Sequence, residues 1–351
     1  MKKFFIYSIA VTAMLFALGG CGKQPVRTAE SSQPAEPVAE ETAQEAPAEE
    51  AETPAPAPDD VQVRVGSLKG PTSIGLVKLI HEQENNPYTF TMETQADVII
   101  AGIASGDLDI ALIPANVASV LYKKTNGGIV VIDINTLGVL YMVSGDDSIS
   151  SWDDLTGKTI YTTGAGSTPE YVLRYLLSAN GLSDSVKIEF KSEATEVAAQ
   201  LAADPSCIGM LPQPFVTAAL AQNDQLSIVM DMTKEWDALD NGSRLLTGVT
   251  VVRKEFLEEH RDAVNRFLSD HAESVAFVNS ETETAAEYTA EAGIIEKAPV
   301  AQKAIPFCNI VCISGADMKN SLSGYLEILY EQDPASVGGE LPADDFYGSI
   351  E

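Results

Sequence analysis

From Val61 onward the chain alternates short stretches of strand periodicity with stretches of helical periodicity, and it does so twice. Val61, Val63 and Val65 alternate with Gln62 and Arg64, the period of two that places side chains on one face of a strand. After a turn at 66–72, Ile74, Val77 and Ile80 keep helical spacing. Tyr88, Phe90 and Met92 return to period two, 98–104 reads as an apolar helix, 109–113 as a buried strand and 114–121 as another helix. Strands at 129–134 and 137–143 complete the first set. The second set opens at Ser151, a serine cap with Asp153 and Asp154 in the first turn of a short helix. Strands follow at 158–163, 186–190, 207–211 and 226–230, with helices after 164–170, at 194–203 and after Gln213-Pro214. Pro169 just inside the start and Gly181 at the end mark one of these helices at both termini. Residues 245–252 run back as a strand, and 256–278, 284–292 and 318–331 read as helices. Such alternation requires parallel βαβ units. The expected class is α/β, with two lobes, each a mostly parallel sheet of about four strands flanked by helices.

The first sixty residues are of another kind. Met1-Lys2-Lys3 is basic, 4–18 is largely apolar, and Leu18-Gly19-Gly20-Cys21 is a small-residue cleavage site ending in cysteine. The apolar run is too short to span a bilayer comfortably, and its flanks are those of a secretory signal. Residues 1–20 are therefore expected to be a signal peptide. Residues 21–60 are rich in Ala, Pro, Glu and Thr with almost no large apolar side chains, so they are expected to form a disordered acidic linker.

The chain has 351 residues, and the roughly 290 after the linker suit two lobes better than one small core. A formal net charge of −29 argues against nucleic acid and anionic lipid as partners, although a buried pocket can carry its own sign. Cys207, Cys308 and Cys312 remain after Cys21, an odd number that argues against a disulfide framework. On an extended strand Cys308 and Cys312 would lie about 13 Å apart, too far to bridge; they are expected to be buried thiols. No Cys or His spacing marks a metal site, and no dinucleotide, Gly-x-Ser-x-Gly or P-loop signature marks a cofactor or catalytic site, so no cofactor and no metal are expected. His81, His260 and His271 fall on amphipathic or charged helices and are expected at the surface. Trp152 is expected in the core, and Tyr141 is a candidate for stacking on a ring.

In open α/β sheets, ligands sit beyond the carboxyl ends of the strands, where loops turn into helices. Two such loops carry matching chemistry: 69–73, with Gly70, Thr72 and Ser73, and 164–168, with Gly166, Ser167 and Thr168. Glycine allows close backbone approach, and a helix start offers unpaired N–H groups and a positive dipole end. Gln213, whose amide both donates and accepts, and Asn116 follow two further strands. These eight residues are the candidate ligand contacts. Each also has an ordinary explanation, because Gly, Ser and Thr cap helices everywhere.

These segments, with Leu18-Gly19-Gly20-Cys21, Gly106-Asp107-Leu108-Asp109, Asp154-Leu155-Thr156-Gly157-Lys158, 251–257 and 336–342, resemble the solute-binding lipoproteins of bacterial ABC importers. The resemblance covers about 61–351. It is narrowest to the nitrate/sulfonate/taurine and thiamine-precursor branch of the type 2 periplasmic-binding fold. It implies lobe I at 61–143 and 250–351, lobe II at 144–249, and hinge strands near Val143 and Gly248. It implies lipid attachment at Cys21 on the outer side of the cell membrane and a monomer that closes on a small polar or anionic organic solute. It also implies delivery to a permease and its ATPase, and no enzymatic activity. Relatives often carry Glu-Pro where this chain has Gln213-Pro214, which removes a carboxylate and argues against a cationic ligand. A sensor on the same fold, or an extracytoplasmic lyase of a small acid, are the alternative functions.

Overall fold

The computed structural model describes residues 61–348; the signal peptide, Cys21 and the acidic linker lie outside the described residues. Among the described residues eleven strands form two sheets. In chain order they are β1 (Val63–Leu68), β2 (Tyr88–Glu93), β3 (Ile110–Pro114), β4 (Ile129–Leu137), β5 (Leu140–Ser144), β6 (Thr159–Thr162), β7 (Lys187–Phe190), β8 (Ile208–Pro212), β9 (Ser227–Asp231), β10 (Leu246–Arg253) and β11 (Ile310–Ile313). The first sheet runs β11-β4-β10-β3-β1-β2 and the second β7-β6-β8-β5-β9.

Each sheet holds three parallel strands, β2-β1-β3 and β7-β6-β8. These are the expected βαβ units, with the Ala96–Ser105 and Ala194–Ala203 helices as crossovers. The remaining strands pair antiparallel: β10 with β3 and β4, β11 with β4, and β5 with β8 and β9. β5 and β10, the two strands that the chain enters on passing from one sheet to the other, each run against both of their neighbours.

The passages fall earlier than the expected hinges. β5, which contains Val143, pairs wholly within the second sheet, so the chain changes sheets at Gly138-Val139. Gly248 pairs within the first sheet, so the return lies before Leu246. The second sheet continues into the Met232–Asp237 helix, which the sequence pattern missed. Its cap is Asp231, whose side chain accepts from the Thr233 N–H at 3.0 Å. The expected 256–278 helix is two, Lys254–Glu259 and Arg261–Ser280, broken at His260.

The Arg261–Ser280 helix buries Val264, Phe267, His271, Val275 and Val278 along one stripe, the 3.6-residue spacing of a core-facing helix. His271, expected at the surface, is therefore fully buried. The Gly315–Gln332 helix places Leu322, Leu326 and Leu329 in the largest apolar cluster, which also contains Trp236 of the second lobe. The capped turn at Ser151 forms as expected: the Asp154 carboxylate accepts from the Ser150 and Ser151 N–H groups at 3.0 and 2.9 Å. Among the described residues no helix is long and apolar enough to cross a membrane.

Two local contacts hold the first lobe and the passage. Asp109, 1% exposed, accepts from Arg64 Nε at 2.8 Å, Arg64 N–H at 2.9 Å and Arg253 Nη2 at 3.1 Å, tying β1, β3 and β10 at one end. At the passage, the Gly138 carbonyl accepts from Asn309 Nδ2 at 2.6 Å and from Thr233 Oγ1 at 3.1 Å. The space above Gly138 is already taken, because an added Cβ would meet Thr233 Oγ1 and come within 2.6 Å of Leu245 Cδ2.

Burial pushes the Asp109 carboxyl upward, but hydrogen bonds from Arg64 and Arg253 outweigh it and hold it below the ordinary carboxylate range. The unfolded chain thus takes up this proton at higher pH than the folded one. The contribution is present above about pH 4 and is lost as pH falls through the folded value. Asp109→Asn should lower stability at pH 7 by about 3–5 kcal/mol and flatten the acid limb of a urea-midpoint-against-pH curve. An unchanged acid limb would remove Asp109 from the account. Gly138→Ala should cost about 1–3 kcal/mol by overpacking, read as a lower urea midpoint at constant slope.

Candidate functional site

Residues that follow β3 in the first lobe and β6 in the second line one cavity together with the passages. In the first lobe β3 ends at Pro114 and the Ala115–Lys124 helix begins at once. In the second, β6 ends at Thr162 and a turn with left-handed Gly164 and Gly166 delivers the chain to the Thr168–Ala179 helix, with Ser167 at its cap position and Pro169 in its first turn. The glycines are needed because this turn takes φ of 77° and 71°, where a Cβ is strained. Between the two helix starts lies a cavity of about 340 Å³.

Its polar lining is Asn116, Ser167, Thr168 and Thr247; its walls are apolar, chiefly Val117, Val139, Leu140, Pro169, Pro212 and Leu246. No charged side chain lines it. Thr168 Oγ1 donates to Asn116 Oδ1 at 3.4 Å across the two lobes, and Asn116 Nδ2 donates to the Ser336 carbonyl at 3.2 Å. Ser167 Oγ donates to the Gly164 carbonyl at 2.7 Å, closing the turn. A second cross-lobe bond joins Tyr171 Oη to Asp333 Oδ2 at 2.9 Å. Burial, then the Asp333 carboxylate, pushes the Tyr171 phenol up, so it stays a donor.

The structure brings three of the eight candidates, Asn116, Ser167 and Thr168, into this one cavity. Gly166 shapes the turn beside it. Thr72 and Ser73 are buried beneath the first-lobe loop: Thr72 Oγ1 donates to the Leu68 carbonyl at 3.0 Å, and Ser73 Oγ lies 2.5 Å from that carbonyl and 2.7 Å from Ser67 Oγ. Thr72 Cγ2 also fills the space a Cβ on Gly248 would need. Gly70, at φ 145°, shapes the loop, while its neighbour Lys69 lines a wider opening of about 610 Å³ beside Phe215 and Lys297. Gln213 turns toward a separate cavity of about 450 Å³ with Lys303 and Phe307. Its Oε1 accepts from Thr217 N–H and Oγ1, and its Nε2 is buried without a partner among the described residues.

Sequence reasoning missed the passage segments, Gly138 to Leu140 and Leu245 to Thr247, which form the cavity floor. Their one signal was Gly138, a glycine inside the strand pattern read at 137–143. Tyr141 is not open for stacking: it is 2% exposed, its Oη donates to the Phe307 carbonyl at 2.8 Å and its ring meets Phe307 edge-on. Trp152 is partly buried and donates through Nε1 to Glu235 at 2.6 Å. His81 is at the surface as expected, stacked on Tyr288 and 3.1 Å from Glu291; His260 is half-buried. Cys207, Cys308 and Cys312 are free thiols; Cys308 is buried as expected, whereas Cys312 is only partly so. Burial pushes the Cys308 thiol up to about 12, so it is inert.

Solved structures of similar architecture exist. An ABC transporter protein from Parabacteroides distasonis superimposes with a TM-score of 0.71 at 24% identity, covering 84% of this chain and 100% of that one. The periplasmic aliphatic sulphonate binding protein SsuA from Escherichia coli gives 0.65 at 15% identity, covering 79% and 95%. The alkanesulfonate-binding protein SsuA from Xanthomonas axonopodis pv. citri, bound to MOPS, gives 0.57 at 14% identity, covering 82% and 96%. These likenesses establish the shared two-sheet fold. A search of curated proteins finds no match. Residues 76–299, well over half the chain, match the family described as ABC transporter, phosphonate, periplasmic substrate-binding protein. The chain belongs to that family of extracytoplasmic substrate-binding components of ABC transporters.

Proposed function

We propose that the chain captures a small organic solute with an apolar body and a single negative charge, an alkyl or aryl sulfonate above all, in the cavity between the two helix starts. The observation that carries this reading is the lining: four amide or hydroxyl side chains, apolar walls and no cation. Each helix start supplies roughly half an elementary charge, so two of them facing one point match a monoanion. A phosphonate dianion would be left about one charge short inside a chain of net charge −29. The apolar walls suit a hydrocarbon body, and about 340 Å³ suits a small one.

Asn116, Ser167 and Thr168 hold the head group from the two lobes, which hinge at the two passages. Amides and hydroxyls can bind and orient but are poor general acids or bases at neutral pH, which supports binding and release without chemistry. The closed monomer is then presented to the permease and its ATPase. Lipid on Cys21 and the acidic linker would keep it near them, as the lipobox-like segment suggests.

Isothermal calorimetry and thermal shift with matched sulfonates and phosphonates test the assignment. Hexanesulfonate or benzenesulfonate should raise Tm and bind at least about tenfold more tightly than the phosphonate of the same tail at pH 8. Asn116→Ala and Thr168→Ala should each weaken the best ligand about tenfold, the value of one buried hydrogen bond. Thr72→Ala, whose hydroxyl serves the Leu68 carbonyl, should lower stability and leave affinity within about twofold. Tighter phosphonate binding at pH 8, or full affinity in both cavity variants, refutes the reading.

A further inference from the structure

Asp133 on β4, His271 on the Arg261–Ser280 helix and Cys312 on β11 come together inside the first lobe. A carboxylate oxygen of Asp133, a ring nitrogen of His271 and Sγ of Cys312 all lie within 4.8 Å of one another. No two of these residues are within forty positions in sequence, so no spacing motif announces them. Asp133 and His271 are fully buried. His271 Nδ1 lies 3.0 Å from Asp133 Oδ2, and Thr250 Oγ1 donates to Asp133 Oδ1 at 2.7 Å.

An Asp–His hydrogen bond accounts for the carboxylate and for Nδ1. Nδ1 is the ring nitrogen that faces the cluster and the one a metal would take in place of that hydrogen bond; Nε2 lies on the far edge of the ring, buried with no partner among the described residues. Phe267 stacks against the ring, and the His271 Nε2 edge sits against Gly75, where an added Cβ would come within 3.0 Å. The ring is thus held in a space that admits little rearrangement.

We infer that Asp133, His271 and Cys312 form a binding site for a thiophilic divalent ion, zinc foremost. Carboxylate oxygen, imidazole nitrogen and thiolate sulfur are the donor set zinc takes at about 2.0–2.3 Å in tetrahedral geometry, with donor atoms about 3.3–3.8 Å apart. Closing a 4.8 Å cluster to that size needs a shift of about 1 Å. β11 is an edge strand and Cys312 is only partly buried, so the shift and the entry path fall on the same side. Thr250 fixes the carboxylate, as groups behind a ligand do in metal sites. Three protein ligands leave a fourth position for water. The thiol proton leaves as the metal–sulfur bond forms and passes to solvent.

The consequence reaches the passage between lobes. Cys312 is three residues beyond Asn309, whose side chain binds the Gly138 carbonyl and whose own carbonyl accepts from Leu137 N–H at 3.0 Å. An ion on β11 would tie the strand that anchors the passage to the middle of β4.

Cobalt(II) and zinc are the probes, applied to the purified chain after chelator treatment and dialysis. One equivalent of cobalt should bind with sulfur-to-metal charge-transfer absorption and the strong visible bands of a four-coordinate site. Zinc should displace it and raise Tm. Cys312→Ser, nearly isosteric and at a partly exposed position, should abolish the charge-transfer band and weaken zinc about 100-fold, and Asp133→Asn about tenfold. The double variant Cys21→Ser/Cys207→Ser should keep the wild-type spectrum. Absence of the band in the wild type, or its survival in Cys312→Ser, overturns the site. Should Cys312→Ser fail to fold by circular dichroism, the spectrum of the double variant decides alone. Its two remaining thiols are Cys312 and the sealed Cys308.

Discussion

The carbonyl of Gly138 accepts one hydrogen bond from each lobe, from Asn309 beside β11 and from Thr233 in the helix after β9. It sits where the chain leaves one sheet for the other, so both halves are referenced to one peptide unit. Around it the backbone has no room for a side chain, which sets how closely β4, β5 and the returning 245–247 segment approach. That closeness brings the starts of the Ala115–Lys124 and Thr168–Ala179 helices to a shared cavity. Had the passage been a longer loop, the two helix ends would face water separately, each a weak anion site and neither selective.

The architecture was largely legible because periodicity is a local property. Val63 and Val65 alternate with polar residues whatever the rest of the chain does, and Val172, Leu173, Leu176 and Leu177 mark a helix face by themselves. The candidate site was legible in part. Asn116, Ser167 and Thr168 sit at helix starts after strands, where the rule for open sheets places them, and the fold brings them together. Thr72 and Ser73 share the same local pattern but spend their hydroxyls on the Leu68 carbonyl, and nothing in a five-residue loop distinguishes the two outcomes.

What could not be read depends on contacts between distant segments. His271 is preceded by Asp270 and followed two residues later by Glu273, so its neighbourhood reads as solvated. Its burial is decided by the stripe of Phe267, Val275 and Val278 docking under the sheet, a tertiary event. Likewise Gln213 follows a strand as expected, yet Thr217 one turn later captures its oxygen and turns the amide elsewhere. The passage at Gly138 was displaced from Val143 because β5 pairs with β8 and β9 over its full length, and pairing partners are invisible in a single strand's sequence.

A cleft polarised by two helix ends and no fixed ion has a property that a lysine- or arginine-lined cleft lacks. A side-chain cation keeps its full charge however the halves are arranged. In the site proposed above, the field that a guest would feel is the sum of two half-charges, one from each lobe, and parting the lobes would remove one of them from the guest. Under that proposal shape and electrostatic attraction are a single variable. A transporter that pries the halves open would, by that act, switch off the pull on the cargo, with no competing residue needed to dislodge it.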